Sequence, residues 1–316
     1  DISVSIGIAP ITVETQSVTS LMNAAETARN VSKERGRNTI HVLDLEDSNL
    51  LERKEQIRWV GQIQSALREN RFVLYAQLIQ PLTIKTGKPH YEILLRMQDD
   101  DGSVIPPGKF LPAAESFYLM SSIDYWVIDK TLSELADHIR ESGQRCQVSI
   151  NLSGQSLNDP VGFAAFIGNK LEQHELDARD ICFEITESAA IANIDDARLF
   201  IDQVSTYGCQ FSLDDFGTGL SSFTYLKNLK VSYLKIDGSF VIDIVDDPVC
   251  ESMVAAINQV GHAMQLQTVA EFVENDTIMQ KLVEIGVDYG QGYGLGKPVP
   301  FAEILSSLPN SKSKSA

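Results

Sequence analysis

Cysteine is scarce in this 316-residue chain: Cys146, Cys182, Cys209 and Cys250 are all there are, with no CxxC pair and no tight cluster. Three of them lie in or beside apolar runs, so they read as small buried hydrophobes in a reducing compartment, which points to the cytoplasm. The five histidines are scattered without HxxxH or HExxH spacing, which argues against a zinc site. No apolar stretch reaches the roughly 18 residues of a membrane span, and no signal-peptide pattern opens the chain. Basic residues are also in short supply: 26 Lys and Arg stand against 43 Asp and Glu, a net charge of −17. Such a surface repels a nucleic-acid duplex, whose binding needs clustered cations. Any phosphate chemistry here would need positive charge from elsewhere, and metal ions held by carboxylates are the obvious source.

Hydrophobic residues make up 43% of the chain and charged residues 22%, a balance that fills a large core and excludes disorder and fibrous repeats. Residues 1–45 read as strand, helix, strand. Val4, Ile6 and Ile8 alternate at period two, Leu21, Ala24, Ala25 and Ala28 share a helical face behind Ser20, and "TIHVLD" follows Gly36. A unit this short buries too little to stand alone, so it is expected to be the tail of a domain in a longer protein. Residues 46–70 carry no proline and place Leu50, Ile57, Val60 and Leu67 at helical spacing, the pattern of a connecting helix.

From Phe72 the pattern turns regular. Eight short apolar runs appear: "FVLYAQ", "YEILLRM", "CQVSINLS", "ICFEITES", "CQFSLDDFG", "VSYLKIDGSF", "LQTVAEFVE" and "VDYGQGYG". Between most of them lie amphipathic stretches long enough for a helix, such as "ARLFIDQVSTYG" and "VCESMVAAINQVGHAMQ". Strands alternating with helices imply an α/β fold with a mostly parallel sheet, and eight in this length match a TIM-like (β/α)8 barrel over residues 71–307. The closing "NSKSKSA" reads as a disordered polar tail over 308–316.

In most of these runs a polar residue interrupts or closes the apolar string: Glu92, Asn151, Glu184, the pair Asp214–Asp215, Lys235, Glu271 and Gln291. From Asn151 onward they recur about one βα unit apart. The carboxyl ends of barrel strands face one mouth, so residues distant in sequence converge there. Any one acid after a strand is more often a helix cap. As a set the carboxylates would repel one another unless cations neutralise them. All are hard oxygen donors, which suit Mg²⁺ or Mn²⁺, or Ca²⁺ in a looser cage. The adjacent aspartates suggest a two-metal phosphoryl-transfer site. Gly217, Thr218 and Gly219 after them make either a mobile loop or a plain tight turn.

Residues 72 to about 305 resemble the EAL domain, a family of phosphodiesterases that hydrolyse cyclic di-GMP. The resemblance rests on seven motifs in order: "YEILLRM", "INLS", "FEITES", "LDDFGTGLSSFTYL", "LKIDGSFV", "TVAEFVE" and "GQGYGLGKPVP". Residues 1–45, from "VSIGIA" to "SKERGRN", resemble the end of a GGDEF domain without its signature loop, so no cyclase activity is expected of them. The resemblance implies that Glu92, Asn151, Glu184 and Asp214 hold one divalent cation. Asp214 and Asp215, with Glu271 directly or through water, would hold a second. Lys235 would orient the attacking water, and Gln291 would bond a metal-bound water. Gln77, Arg96, Asp237 and Gln291 would contact substrate, Arg96 at a phosphate. Glu187 would anchor the loop Gly217–Thr218–Gly219, with Glu274 as the second acid of its motif. Leu78 stands where the family has proline, next to Gln77.

The resemblance further implies two Mg²⁺ or Mn²⁺ ions per site, with Ca²⁺ a candidate inhibitor, hydrolysis of cyclic di-GMP to linear pGpG, and a homodimer. Contact with a membrane is expected only through regions upstream. The main alternative is a receptor or idle signalling module that binds cyclic di-GMP without cutting it. An enolase-like lyase ranks last, because no acid/base pair flanking a carbon acid is identifiable.

Overall fold

All eight apolar runs become strands of one closed barrel. The computed structural model describes residues 4, 6–10, 25, 29, 40–42, 48–84, 88–99, 101–217 and 225–308. Its contacts divide the chain into two units, Asp1–Gly61 and Gln62–Ala316. In the first, strands β1 (Ile6–Ile8) and β2 (Ile40–Val42) pair in parallel, Ile6 opposite Ile40. The residues read as the helix between them lie outside the described residues except Ala25 and Arg29, both helical, and so does the tail beyond Leu308. Helix α1 (Ser48–Glu69) forms where the proline-free stretch predicts it. Its buried positions within the second unit are Ile63 and Ala66, while Leu67 is half-buried and Ile57 is 55% exposed. The long aliphatics marked the helix, but the smaller Ala66 marks its close-packed face.

The barrel strands are β3 (Phe72–Pro81), β4 (His90–Gln98), β6 (Gln147–Leu152), β7 (Ile181–Thr186), β8 (Gln210–Phe216), β9 (Tyr233–Ile236), β10 (Gln267–Ala270) and β11 (Tyr289–Gly290). They close in the order β3-β4-β6-β7-β8-β9-β10-β11 and back to β3. Two short strands, β5 (Val104–Ile105) on β4 and β12 (Val299–Pro300) on β3, add to its edge. The pairings from β4 through β11 are parallel, but β3 runs antiparallel to both β4 and β11. A uniform (β/α)8 pattern therefore breaks at its first unit. Residues 82–89 between β3 and β4 are too few for a helical crossover, so the chain turns straight back as a hairpin.

The strands carry apolar side chains on both faces, as a helix-covered parallel sheet requires; Ile181, Cys182, Phe183 and Ile185 of β7 are all buried. The outer layer comprises α2 (Leu111–Ser116), α3 (Met120–Ser142), α4 (Pro160–His174), α5 (Glu187–Ala192), α6 (Ile194–Tyr207), α7 (Gly238–Ile242), α8 (Pro248–Ala263), α9 (Asp276–Ile285) and α10 (Phe301–Ser307). The two amphipathic stretches quoted above are α6 and α8. Their ends follow local chemistry: Asp159, Asp247 and Asn275 each accept a backbone N–H at a helix start. Gly286 closes α9 at φ 88°, a conformation costly for residues with a Cβ.

Candidate active site

Each barrel strand, or the residue just past it, brings a polar side chain to one linked cluster: Gln77, Glu92, Asn151, Glu184, Asp214, Lys235, Glu271 and Gln291. Register explains the convergence: Asn151 lies opposite Glu184, and Gln77 on β3 opposite Glu92 on β4. Glu271 and Gln291 stand one residue past the ends of β10 and β11.

Lys235 is the centre of the cluster. It is 1% exposed, and its Nζ lies 2.7 Å from Glu184 Oε2, 3.0 Å from Glu271 Oε1, 3.1 Å from Asp214 Oδ1 and 3.5 Å from Glu92 Oε2. Burial alone would push the ammonium's pKa down, but Asp214, Glu184, Glu271 and Glu92 outweigh it and hold it well above the ordinary lysine value. Burial would likewise raise Glu92. Lys235 and the amides of Gln291 (2.6 Å) and Asn151 (2.6 Å) prevail and hold it below the usual carboxylate range. Glu184 and Glu271 go the other way: burial lifts them to about 8 and about 7 despite Lys235. Burial and Asp214 also raise Asp215.

One ammonium pairs with four carboxylates while a fifth, Asp215, stands beside them, and burial pushes Glu184, Glu271 and Asp215 upward. That is the electrostatic demand a cation would satisfy. Carboxylate oxygens of Asp214, Asp215 and Glu271 lie within 4.8 Å of one another, with Asp215 exposed and Glu271 half-buried. Gln291 Oε1 is buried with no hydrogen-bond partner among the described residues, an acceptor left over beside Glu92. Hard oxygen donors, excess negative charge and a spare acceptor fit divalent metal ions.

Backbone detail supports this face. Between Leu213 and Phe216 the β8–β9 register shifts, and Asp215 takes φ 55°. The irregularity turns two successive aspartates towards the mouth, where a regular strand would send one outward. Gly292 and Gly294 lie against the backbone after Glu271: a Cβ on Gly292 would fall 2.2 Å from Val273 N, and one on Gly294 2.5 Å from the Glu274 carbonyl carbon. The glycines of "GQGYGLG" thus bring the Glu271 and Gln291 segments together, locked by Val273 N donating to Gln291 O and Gly294 N to Val273 O, both at 2.9 Å.

The remaining candidates have partners of their own. Gln77 accepts from Gln291 Nε2 (3.2 Å) and donates to Gly296 O (2.8 Å). Arg96 stands farther along β4, its guanidinium 5.3 Å from the Tyr75 ring centroid and donating to Leu95 O. Asp237 caps α7 through Ser239 N (2.9 Å), and its charge is felt at Asp215. Glu187 is buried at the start of α5, where Thr186 is the cap. Its carboxylate accepts from Gly217 N (3.1 Å) and Tyr225 Oη (2.5 Å), so it ties both ends of the segment 218–224. Thr218 and Gly219 lie outside the described residues. Glu274 is exposed. Residue types alone pointed to neither Tyr225 nor Tyr75, since an aromatic at those positions reads as core.

The model of the EAL domain matches residues 60–298. The chain belongs to the EAL domain family. It is 36% identical over 307 residues to the cyclic di-GMP phosphodiesterase PdeB of Shewanella oneidensis, covering 97% of this chain and 36% of that protein. It is 38% identical over 257 residues to the cyclic di-GMP phosphodiesterase PdeF of Escherichia coli, covering 81% of this chain and 34% of that one. The chain thus spans about a third of the length of these relatives. Among solved EAL structures it is similar to the PaMucR phosphodiesterase in a c-di-GMP complex, with TM-score 0.72 and 31% identity over 78% of this chain and 99% of that one. The FimX EAL domain of Pseudomonas aeruginosa bound to c-di-GMP gives TM-score 0.71 and 31% identity over 76% and 96%.

Proposed function

We propose that this chain hydrolyses one phosphodiester of cyclic di-GMP to give linear pGpG. The observation that carries the reading is the ring of five carboxylates around Lys235 at the barrel mouth. The names of its EAL relatives supply the substrate.

In this reading Glu92, Asn151, Glu184 and Asp214 hold one Mg²⁺ or Mn²⁺, and Asp214, Asp215 and Glu271 hold the other. When bound, the ions supply an acidified water and neutralise charge on the phosphate. Lys235 orients the attacking water, and Arg96 meets a phosphate oxygen with a guanidinium braced on Tyr75. Gln77 and Asp237 contact the substrate, and Gln291 keeps Glu92 and Gln77 in place. Glu187 fixes the loop that includes Thr218 and Gly219, and Glu274 supports it. Water attacks phosphorus, the P–O3′ bond breaks, and the departing oxygen takes up a proton.

The accompanying assignments are parts of the same proposal. Residues 1–45 are a GGDEF remnant, supported by the parallel β1–β2 pair; 46–70 form the linker, and 71–307 the catalytic domain. Ca²⁺ inhibits, two copies pair in solution, and the site works in the cytoplasm. No helix among the described residues is long and apolar enough to cross a membrane. Incubation with cyclic di-GMP and Mn²⁺, with products resolved by chromatography, should yield pGpG. Glu92→Ala should abolish it, by about 10³-fold or more if a ligand is lost. Tight binding without pGpG would instead favour the receptor reading, and undiminished turnover by Glu92→Ala would refute the assignment.

A further inference from the structure

Asp124 is a buried carboxylate that none of the roles above uses. It sits in the second turn of α3, 4% exposed, on the face that also buries Ile123, Val127 and Ile128. An aspartate in such a row costs desolvation unless donors satisfy it. Three do, all on one oxygen: Ser153 N at 2.9 Å, Ser153 Oγ at 2.7 Å and Ser156 Oγ at 2.6 Å reach Asp124 Oδ2. All three come from one short stretch, the first residues to leave β6. That stretch begins two residues after Asn151, whose amide donates to Glu92 Oε1 at 2.6 Å. A second tie involves Gln155, which accepts from Met120 N at the start of α3 at 3.3 Å and donates to Glu115 O of the preceding α2 at 2.7 Å.

We propose that Asp124 is a positioning residue for the metal site, gathering three donors of Ser153 and Ser156 so that β6 ends with Asn151 aimed at Glu92 and the cation. Its function would be to fix where the strand stops. Asn151 is exposed and donates to Glu92 Oε1 alone among the described residues, so its direction is set by the backbone behind it. Two anchors on one helix, Asp124 and the start of α3, make that backbone stiff. Partners behind metal ligands commonly govern affinity in this way, because a misaimed ligand loses coordination energy even when the fold survives. The inference rests on the metal-dependent reading above.

The test compares Mn²⁺ binding by the full chain without substrate, read as free Mn²⁺ by electron paramagnetic resonance, with turnover measured separately. Asp124→Leu preserves shape but leaves three donors without their acceptor. It should weaken Mn²⁺ about tenfold or more, and raise the Mn²⁺ needed for half-maximal turnover in step. Leu135→Ala, on the same buried face of α3 about 16 Å farther along, should lose comparable thermal stability yet keep wild-type Mn²⁺ affinity. Should Asp124→Leu fail to fold, the double variant Ser153→Ala/Ser156→Ala removes two of the three donors from the other side and should weaken Mn²⁺ several-fold. Asp124→Asn, which keeps an acceptor oxygen, should restore most of the affinity. Wild-type affinity in folded Asp124→Leu or in the double serine variant, or equal loss in Leu135→Ala, overturns the positioning role while the metal-dependent reading stands. Absence of Mn²⁺ binding by the wild-type chain overturns both.

Discussion

Lys235 does at the scale of one side chain what a lone lysine at a strand end does not advertise. Its position was legible, because it closes an apolar run one βα unit from its neighbours. Its contacts were not, since the four carboxylates it meets come from β4, β7, β8 and the end of β10, over 179 residues of sequence that only barrel closure brings together. Replacing it with methionine keeps the length and removes the charge. Lys235→Met should cost metal-free protein about 3–5 kcal/mol, the usual penalty for leaving buried charges unpaired, as read by urea unfolding. It should also lower turnover about 100-fold or more. Unchanged stability would mean that the acids already carry protons enough to do without it.

The same acids give a pH signature. Glu184 and Glu271 hold protons in the folded state up to about 8 and about 7, against an ordinary value of 4.5. The folded state therefore binds more protons than the unfolded chain between these limits. Stability of the metal-free protein should fall as pH rises from about 4.5 through about 8. Glu184→Gln should flatten the fall, and Mn²⁺ should reverse it, because ligation stabilises the deprotonated acids. A flat profile in wild-type, metal-free protein would contradict the assignment of these shifts.

At the scale of elements, the strands were readable and one direction was not. Apolar runs at βα spacing mark all eight strands, but nothing in "FVLYAQLIQP" signals that β3 runs against its neighbours; the eight-residue connector to β4 does. The hairpin sets Gln77 across from Glu92, which a parallel first unit would not have done. The glycines after β11 were read as part of a motif, and their physical reason emerges only when the Val273 backbone is seen in the space a Cβ would take. Gly292→Ala must move backbone, which no rotamer change can avoid, and should destabilise by about 1–3 kcal/mol or more. Calorimetry would reveal it as a lowered unfolding temperature together with lost turnover, since Glu271 and Gln291 would separate. Unchanged unfolding would contradict the packing described.

Over the whole molecule, charge and topology tell one story. A chain with 43 acidic and 26 basic residues gathers five carboxylates from β4, β7, β8 and the end of β10, and places one lysine among them. Composition announced the need for cations, and strand-end residues announced where. What neither could tell was the balance inside the cluster, with Glu92 ionised below its usual range and Glu184 protonated above it. That balance depends on which acid the lysine and the amides of Gln291 and Asn151 reach. The most direct measurement is an anomalous difference map from crystals soaked in MnCl₂. Two peaks are predicted, one among Glu92, Asn151, Glu184 and Asp214 and one among Asp214, Asp215 and Glu271. A map with no peak there, and the same side chains turned to bulk water, would contradict the account.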